Sequence, residues 1–364
     1  MIEAQAAAPG ESATRPALVD CDVHIEVPRV EALFPYLPAY WIEHIEQTLF
    51  KGPVDSYYPS KTTMGGGAEG KRSTEIPPIS NLAAVQEQLL DPTGAAHAIL
   101  TSLYAIDSLN NPDAAVAMAS AVNDWLIAEW LEKDPRVRAS MVVPVQLPAL
   151  AAREIERVGD HPGFVQVLLP VRTPQPLGNR NFHPIWGAIE QKGLVAGIHF
   201  GGAPGTPPTP TGWPSYYFEV FAGMAQVFAT QMTSIVCEGI FDQFPAVQVA
   251  FLESGWTWIP AHMWRFDKEW KNLRRLVPWV RRAPSEYIRE HIRVTVQPLD
   301  APENNPKHLL EVYEQLGSDE MLLYSSDFPH PHAVDAEEGF LRHLPATTAQ
   351  KIRGENARAL YKLS

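Results

Sequence analysis

The sequence predicts a (β/α)₈ TIM barrel with a long excursion after its first strand. Eight short apolar or β-branched runs are each followed by a helical segment. Parallel neighbours need a crossover between them, so this alternation calls for a parallel sheet. Eight such units in one domain-sized chain suit a closed barrel. No Gly-x-Gly-x-x-Gly follows the first run, where an open doubly wound sheet would hold a nucleotide. Finally, several of the runs end in histidine or carboxylate side chains, as barrel strands do around a common mouth.

Residues 1–16 are small and polar and read as a flexible tail, and residues 17–364 as one barrel domain. The first strand spans Ala17–His24. Helix-like spacing with Phe34, Tyr36, Tyr40 and Trp41 covers Glu31–Phe50. Residues 51–79, rich in Gly and Pro around Met64-Gly65-Gly66-Gly67, form too long a connection to be incidental and read as a lid over the mouth. From there the chain alternates. Helix Asn81–Leu90 leads to strand His97–Leu103, and helix Pro112–Lys133 to strand Ala139–Pro144. Helix Pro148–Val158 leads to strand Gly163–Leu169, and helix His183–Lys192 to strand Leu194–Phe200. After a second Pro/Gly-rich loop comes a helical stretch, Tyr216–Phe241, then strand Val247–Glu253 and helix Trp258–Leu276. Strand Ile292–Val296, helix Pro306–Leu316, strand Met321–Ser326 and a helical end, Ala336–Leu363, complete the pattern.

Of the 364 residues, 45% are hydrophobic and 20% charged, the composition of a soluble globular protein. A net charge of −13 argues against nucleic acid or an anionic membrane as partner. Two distant cysteines, Cys21 and Cys237, make no disulfide framework, and with no signal-like or membrane-length apolar run the expected location is the cytoplasm.

Period-2 alternation puts Asp22 and His24 on one face of the first strand. His199 ends the fifth strand, Glu253 the sixth and Asp327 the eighth. Singly, Asp22 also suits a turn, His199 a hydrogen-bonded core position and Asp327 a helix cap. Falling at corresponding ends of different strands, they point to one divalent cation in a mixed nitrogen and oxygen shell. Such a shell suits zinc first, with manganese or iron(II) open. Glu253 stands as a ligand, a proton carrier or a partner to a ligand. His330, three residues past Asp327, is near enough to exchange protons with a substrate, whereas His332 reads as a surface residue. Arg172 and Arg265 are candidates for a substrate carboxylate. Trp41, Tyr57, Tyr58 and Trp213 lie in the lid-like segments and suit contact with an aromatic substrate.

The motifs Asp20-Cys21-Asp22-Val23-His24, Ile198-His199-Phe200-Gly201-Gly202, Phe244-Pro245 through Glu253-Ser254-Gly255, Ser325-Ser326-Asp327-Phe328-Pro329-His330 and Gly354-Glu355-Asn356-Ala357 carry a resemblance. Over residues 17–363 the chain resembles the amidohydrolase-related group of the metal-dependent amidohydrolase superfamily, whose best-known members resemble aminocarboxymuconate semialdehyde decarboxylase. The resemblance implies metal ligation by Asp22, His24, His199 and Asp327 and a homo-oligomer, dimeric or higher; by their positions at the mouth, Glu253, His330 and Asp327 are the expected catalytic residues. The chain departs from the family where Asp22 replaces the leading histidine of His-x-His and Glu253 replaces the sixth-strand histidine. It also lacks a lysine at the fourth-strand end, which leaves one metal rather than two. The expected activity is non-oxidative decarboxylation of a small aromatic or unsaturated carboxylic acid. Hydrolysis of an amide, ester, lactone or C–C bond by a metal-activated water is the alternative.

Overall fold

Strands covered by helices on one side and by the barrel interior on the other are buried on both faces, which is why they read as nearly continuous apolar runs. The computed structural model describes residues 18–53, 78–202, 206–209, 211–301, 305–330, 332 and 334–364. The predicted tail and most of the predicted lid, including Tyr57 and Tyr58, lie outside the described residues. The eight strands are β1 (Val19–Ile25), β2 (His97–Ser102), β3 (Val137–Val142), β4 (Phe164–Arg172), β5 (Val195–Gly202), β6 (Gln248–Leu252), β7 (Ile292–Thr295) and β8 (Leu322–Leu323). Each pairs in parallel with the next, in the order β1 to β8.

The ring closes between the two ends of this order. Cys21 N donates to Tyr324 O at 2.9 Å and His24 N to Phe328 O at 2.8 Å, and Val23 bridges Phe328 in parallel. The regular ladder of β8 stops at Leu323, short of the expected Ser326. Beyond it a side chain joins the backbone contacts: Ser326 N donates to Asp20 Oδ1 at 2.9 Å. A register shift in β1 between Asp20 and Val23 accompanies this contact. A bulge of that kind re-aims side chains, so Asp20 serves the seam while Asp22 and His24 face the mouth.

The lower barrel interior is filled by Val19, Cys21, Ile99, Val165, Val195, Ala250, Leu252 and Leu323, capped by Ala357, Leu360 and Tyr361 of the C-terminal helix Asn356–Tyr361. Tyr361 Oη donates to Gln166 Oε1 and Gln166 Nε2 to Ser140 Oγ, both at 2.8 Å. Gly197 makes room for this chain, since a Cβ there would lie 2.3 Å from Gln166 Cδ. A larger apolar layer joins the outer faces of the strands to the helices.

Several helices match the sequence pattern, among them Pro148–Val158 and His183–Lys192. The expected Tyr216–Phe241 divides into Tyr217–Ala222, Met224–Cys237 and Ile240–Gln243, broken at Gly223 and Gly239. Glu31–Phe50 divides at Pro38 into a 3₁₀ turn, Val30–Tyr36, and a helix, Ala39–Thr48. One helix, Pro284–His291, is absent from the sequence reading. Among the described residues no helix is long and apolar enough to cross a membrane.

Candidate metal centre

Each candidate side chain is delivered by the C-terminal end of a strand. Asp22 and His24 lie on β1 and His199 on β5; Glu253 follows β6 directly, and Asp327 lies four residues past the end of β8. The latter two leave their strands in the left-handed region, with φ of 54° and 58°. For a residue with a Cβ this costs about 1–2 kcal/mol, and such strain persists where surrounding contacts enforce it. At Glu253 the backbone N–H donates to Thr295 Oγ1 at 3.2 Å, and that hydroxyl in turn donates to Gln297 O at 3.2 Å.

The side chains converge. His24 Nε2 lies 2.8 Å from Asp327 Oδ1, 3.1 Å from Glu253 Oε1 and 3.7 Å from Asp22 Oδ1. His199 Nε2 lies 3.4 Å from Asp22 Oδ2 and 3.7 Å from Glu253 Oε1. His330 Nδ1 stands 2.9 Å from Asp327 Oδ1 and 3.4 Å from Glu253 Oε1. Two overlapping four-residue groups have ligand-type atoms mutually within 4.8 Å: Asp22, His24, His199 and Glu253, then His24, Glu253, Asp327 and His330. His24 and Glu253 belong to both.

Supporting contacts orient these groups. His199 Nδ1 is 2.6 Å from the Phe200 carbonyl, which fixes the tautomer that leaves Nε2 bare toward the centre. Thr101 Oγ1 donates to Asp22 Oδ1 at 2.9 Å. Burial pushes the His24 imidazole down, but the Asp22, Asp327 and Glu253 carboxylates outweigh it and raise its pKa well above the ordinary value. His199 moves the same way, burial again being overcome by Glu253 and Asp22. Burial would raise Asp327; the close His24 imidazole and the hydrogen bonds from His330 and His332 hold it well below the usual carboxylate range. His330 is raised to about 9 by its hydrogen bond to Asp327 and the nearby Glu253 carboxylate, against a smaller opposing effect of burial.

Four buried atoms at the centre lack a hydrogen-bond partner of proper geometry: Asp22 Oδ2, His24 Nε2, His199 Nε2 and Glu253 Oε1. Leaving one such group unsatisfied costs about 1–3 kcal/mol. Four aimed at one point make a donor set that a divalent cation satisfies together. The residues present therefore fit the metal that the strand-end pattern implied.

A cavity of about 310 Å³ opens onto this floor, with His199, Glu253 and His330 in its lining. Its walls are mainly apolar, from Val142, Leu168, Pro170, Phe200, Phe221 and the ring of Tyr104. All six predicted site residues meet here. His332 was expected at the surface, yet its Nε2 lies 2.9 Å from Asp327 Oδ2; the Asp-x-x-His-x-His spacing was the available signal. Arg172 lines the cavity, whereas Arg265 lines a separate groove with His262 and Trp270 on the outer helices. Trp41 packs against the outer core and Trp213 is 46% exposed. The described aromatics of the cavity are Tyr104, Phe200, Tyr217 and Phe221 instead.

Curated relatives include gamma-resorcylate decarboxylase of Rhizobium sp. (strain MTP-10005), 25% identical over 294 residues, covering 76% of this chain and 86% of that one. The Polaromonas enzyme of the same name is 24% identical over 333 residues, covering 85% and 98%. The fold matches that of 5-carboxyvanillate decarboxylase from Sphingomonas paucimobilis, with a TM-score of 0.69 at 19% identity, covering 96% of this chain and 100% of that one. It also matches a manganese-bound dihydroxybenzoic acid decarboxylase from Polaromonas, with a TM-score of 0.66 at 19% identity over 95% and 97% of the two chains. The family model described as amidohydrolase matches residues 19–363, and the chain belongs to that family.

Proposed function

We propose that this protein is a metal-dependent, non-oxidative decarboxylase of a small aromatic carboxylic acid. The observation that carries the reading is the orphaned donor set of Asp22, His24, His199 and Glu253 at the floor of an apolar-walled cavity, with His330 beside it. Relatives named as decarboxylases of aromatic acids support it.

Asp22, His24, His199 and Asp327 hold the cation in this reading, and the Glu253 carboxylate, shared between both clusters, completes the set. When bound, the cation supplies Lewis acidity toward the substrate's carboxylate and a neighbouring oxygen. Manganese is favoured over the zinc expected from sequence. Three carboxylates make a hard, oxygen-rich site, and the Polaromonas decarboxylase carries manganese.

His330 is the proton donor. Asp327 and Glu253 hold its Nδ1 side, which orients the ring and keeps it charged at neutral pH. The second N–H of the imidazolium delivers a proton to the ring carbon that loses CO₂. The bond between that carbon and the carboxyl group breaks, its electron pair returns to the ring, and CO₂ departs. The apolar walls seat the ring and exclude water, which favours loss of CO₂ over hydrolytic attack.

An assembly of several copies belongs to the same reading, supported by the exposed apolar side chains Trp264, Leu273, Leu276 and Trp279 on helix Ile259–Leu273 and the turns that follow it. The deciding experiment incubates manganese-loaded protein with a panel of hydroxybenzoates in ¹⁸O-water. The expected result is CO₂ with no solvent oxygen in the aromatic product. Label in that product would replace the decarboxylase with the hydrolase.

A further inference from the structure

The metal floor occupies only part of the barrel mouth. Its carboxylates and imidazoles come from β1 and β5 and from the turns after β6 and β8. The arc from β2 to β4 brings apolar groups to the same cavity instead: Ile106 beyond β2, Val142 and Val145 at the end of β3, Leu168 and Pro170 on β4. A ligand whose carboxylate sits at the floor therefore lays its carbon frame over this apolar arc.

One flank of the cavity is aromatic. Phe200 follows His199 directly on β5, and its ring centre lies 5.0 Å from that of Phe221. The Tyr217 ring meets Phe221 edge-on at 4.8 Å. All three line the cavity. Tyr217 and Phe221 are one turn apart on helix Tyr217–Ala222, so they share a face. The start of that helix is fixed by a reciprocal pair, Tyr216 N donating to Glu219 Oε1 and Glu219 N to Tyr216 O, both at 3.0 Å. Tyr216 and Phe218 are 72% and 79% exposed, which places the helix at the rim. The three rings thus lead from beside His199 to the outer edge of the mouth.

A single ring with its carboxylate does not fill this space. The cavity's volume of about 310 Å³ falls among pockets that enclose drug-sized ligands, about 300–1,000 Å³, and benzoate is far smaller than those. Aromatic pairs are favourable at centroid separations of about 4.5–7 Å, so the flank offers a guest ring further edges and faces beyond the one nearest the floor.

We propose that the substrate is a two-ring aromatic acid, its carboxylate at the metal floor and its second ring seated against Phe221, which makes Phe221 a specificity-determining residue. The inference rests on the reading of the cavity as a site for an aromatic acid, and it names the substrate class within that reading. The second ring takes no part in the chemistry. Its burial supplies binding that a lone benzoate lacks.

Equilibrium binding tests it without relying on turnover. Manganese-loaded protein is titrated calorimetrically with benzoate, biphenyl-3-carboxylate and biphenyl-4-carboxylate. Wild type is expected to bind one of the biphenyl acids at least about 10-fold more tightly than benzoate, the gain from burying one further ring. Phe221→Ala should remove most of that preference while moving benzoate affinity less than about threefold. Phe218→Ala, on the outward side of the same helix, should keep the preference, which separates a seat inside the cavity from adhesion to an apolar rim. Equal affinities for all three probes in wild type would overturn the proposal. So would a preference that survives Phe221→Ala, or one that falls as far in Phe218→Ala. If Phe221→Ala fails to fold, Phe221→Leu decides: it lacks the ring, so the preference should drop at least about twofold, and an unchanged preference counts against the contact. Failure of the underlying reading looks different, since benzoate would then bind loaded and metal-free protein alike, or neither.

Discussion

His332 Nε2 lies 2.9 Å from Asp327 Oδ2, the carboxylate oxygen that His24 and His330 do not touch. Asp327 is thereby gripped on both oxygens, and its angle at the end of β8 is set by a residue that never reaches the centre. Outer partners of this kind typically contribute 10–100-fold to metal affinity. His332→Ala should therefore lower manganese affinity by about 10–100-fold with no change in secondary structure. Competition against a chromophoric chelator measures it, and unaltered affinity would assign His332 to local packing.

His199→Ala removes one of the two imidazoles facing the centre and takes away the nitrogen that faces Asp22 Oδ2 at 3.4 Å. The expected protein is folded, free of stoichiometric metal by elemental analysis, and inactive. Stoichiometric manganese in it would remove β5 from the ligand set.

Glu253 and His330 separate by metal content. His330→Ala is expected to retain the cation and lose about 10²–10⁴-fold in turnover, the usual contribution of a positioned acid. Glu253→Gln should lose turnover and also bind the cation more weakly, because Glu253 Oε1 is one of the four orphaned atoms at the centre. Full metal affinity in Glu253→Gln would make that residue a proton carrier alone.

Metal affinity should rise with pH through the neutral range. Both centre imidazoles have raised pKa values because carboxylates outweigh burial, so below those values the metal-free protein carries protons there. Ligation requires neutral imidazole and must displace them. The affinity contribution is thus lost as pH falls through the raised values and complete above them. Titrations in buffers of different ionisation enthalpy should show proton release at pH 7 that vanishes at high pH; release independent of pH would contradict the assignment.

Gly197→Ala should destabilise the barrel by about 1–3 kcal/mol, the typical cost of overpacking. The added methyl would meet Gln166, whose amide links Ser140 to Tyr361. A drop in melting temperature that is relieved by Gln166→Ala would identify the clash as the cause.

Much of this was legible in the chain. Continuous apolar runs mark buried parallel strands, and the carboxylates and imidazoles at their ends mark the mouth, so Asp22, His24, His199, Glu253, Asp327 and His330 could be named from position alone. What stayed hidden depends on backbone conformation that periodicity does not encode. The β1 register shift takes Asp20 out of line with Asp22 and onto Ser326. The left-handed turns at Glu253 and Asp327 occur at residues with no glycine to signal them. The turn after β8 returns His332 to Asp327 from a stretch that reads as surface. Helix Pro284–His291 went unread because Tyr287 and Ile288 give it too short an apolar face for the 3.6-residue period to emerge.

The seam between β1 and β8 gives the metal centre a place in time. Asp20 and Ser326, which meet across it, are 306 positions apart, and the proposed ligands Asp22 and Asp327 lie just beyond them. During synthesis the Asp22–His24 pair emerges first and waits for almost the whole chain before Asp327 can join it. Contacts that distant form late in folding, so the nascent protein offers a passing cation only a fragment of a site. Full affinity arrives with the closing of the ring, and any event that parts this seam would release the metal before the rest of the barrel has unfolded.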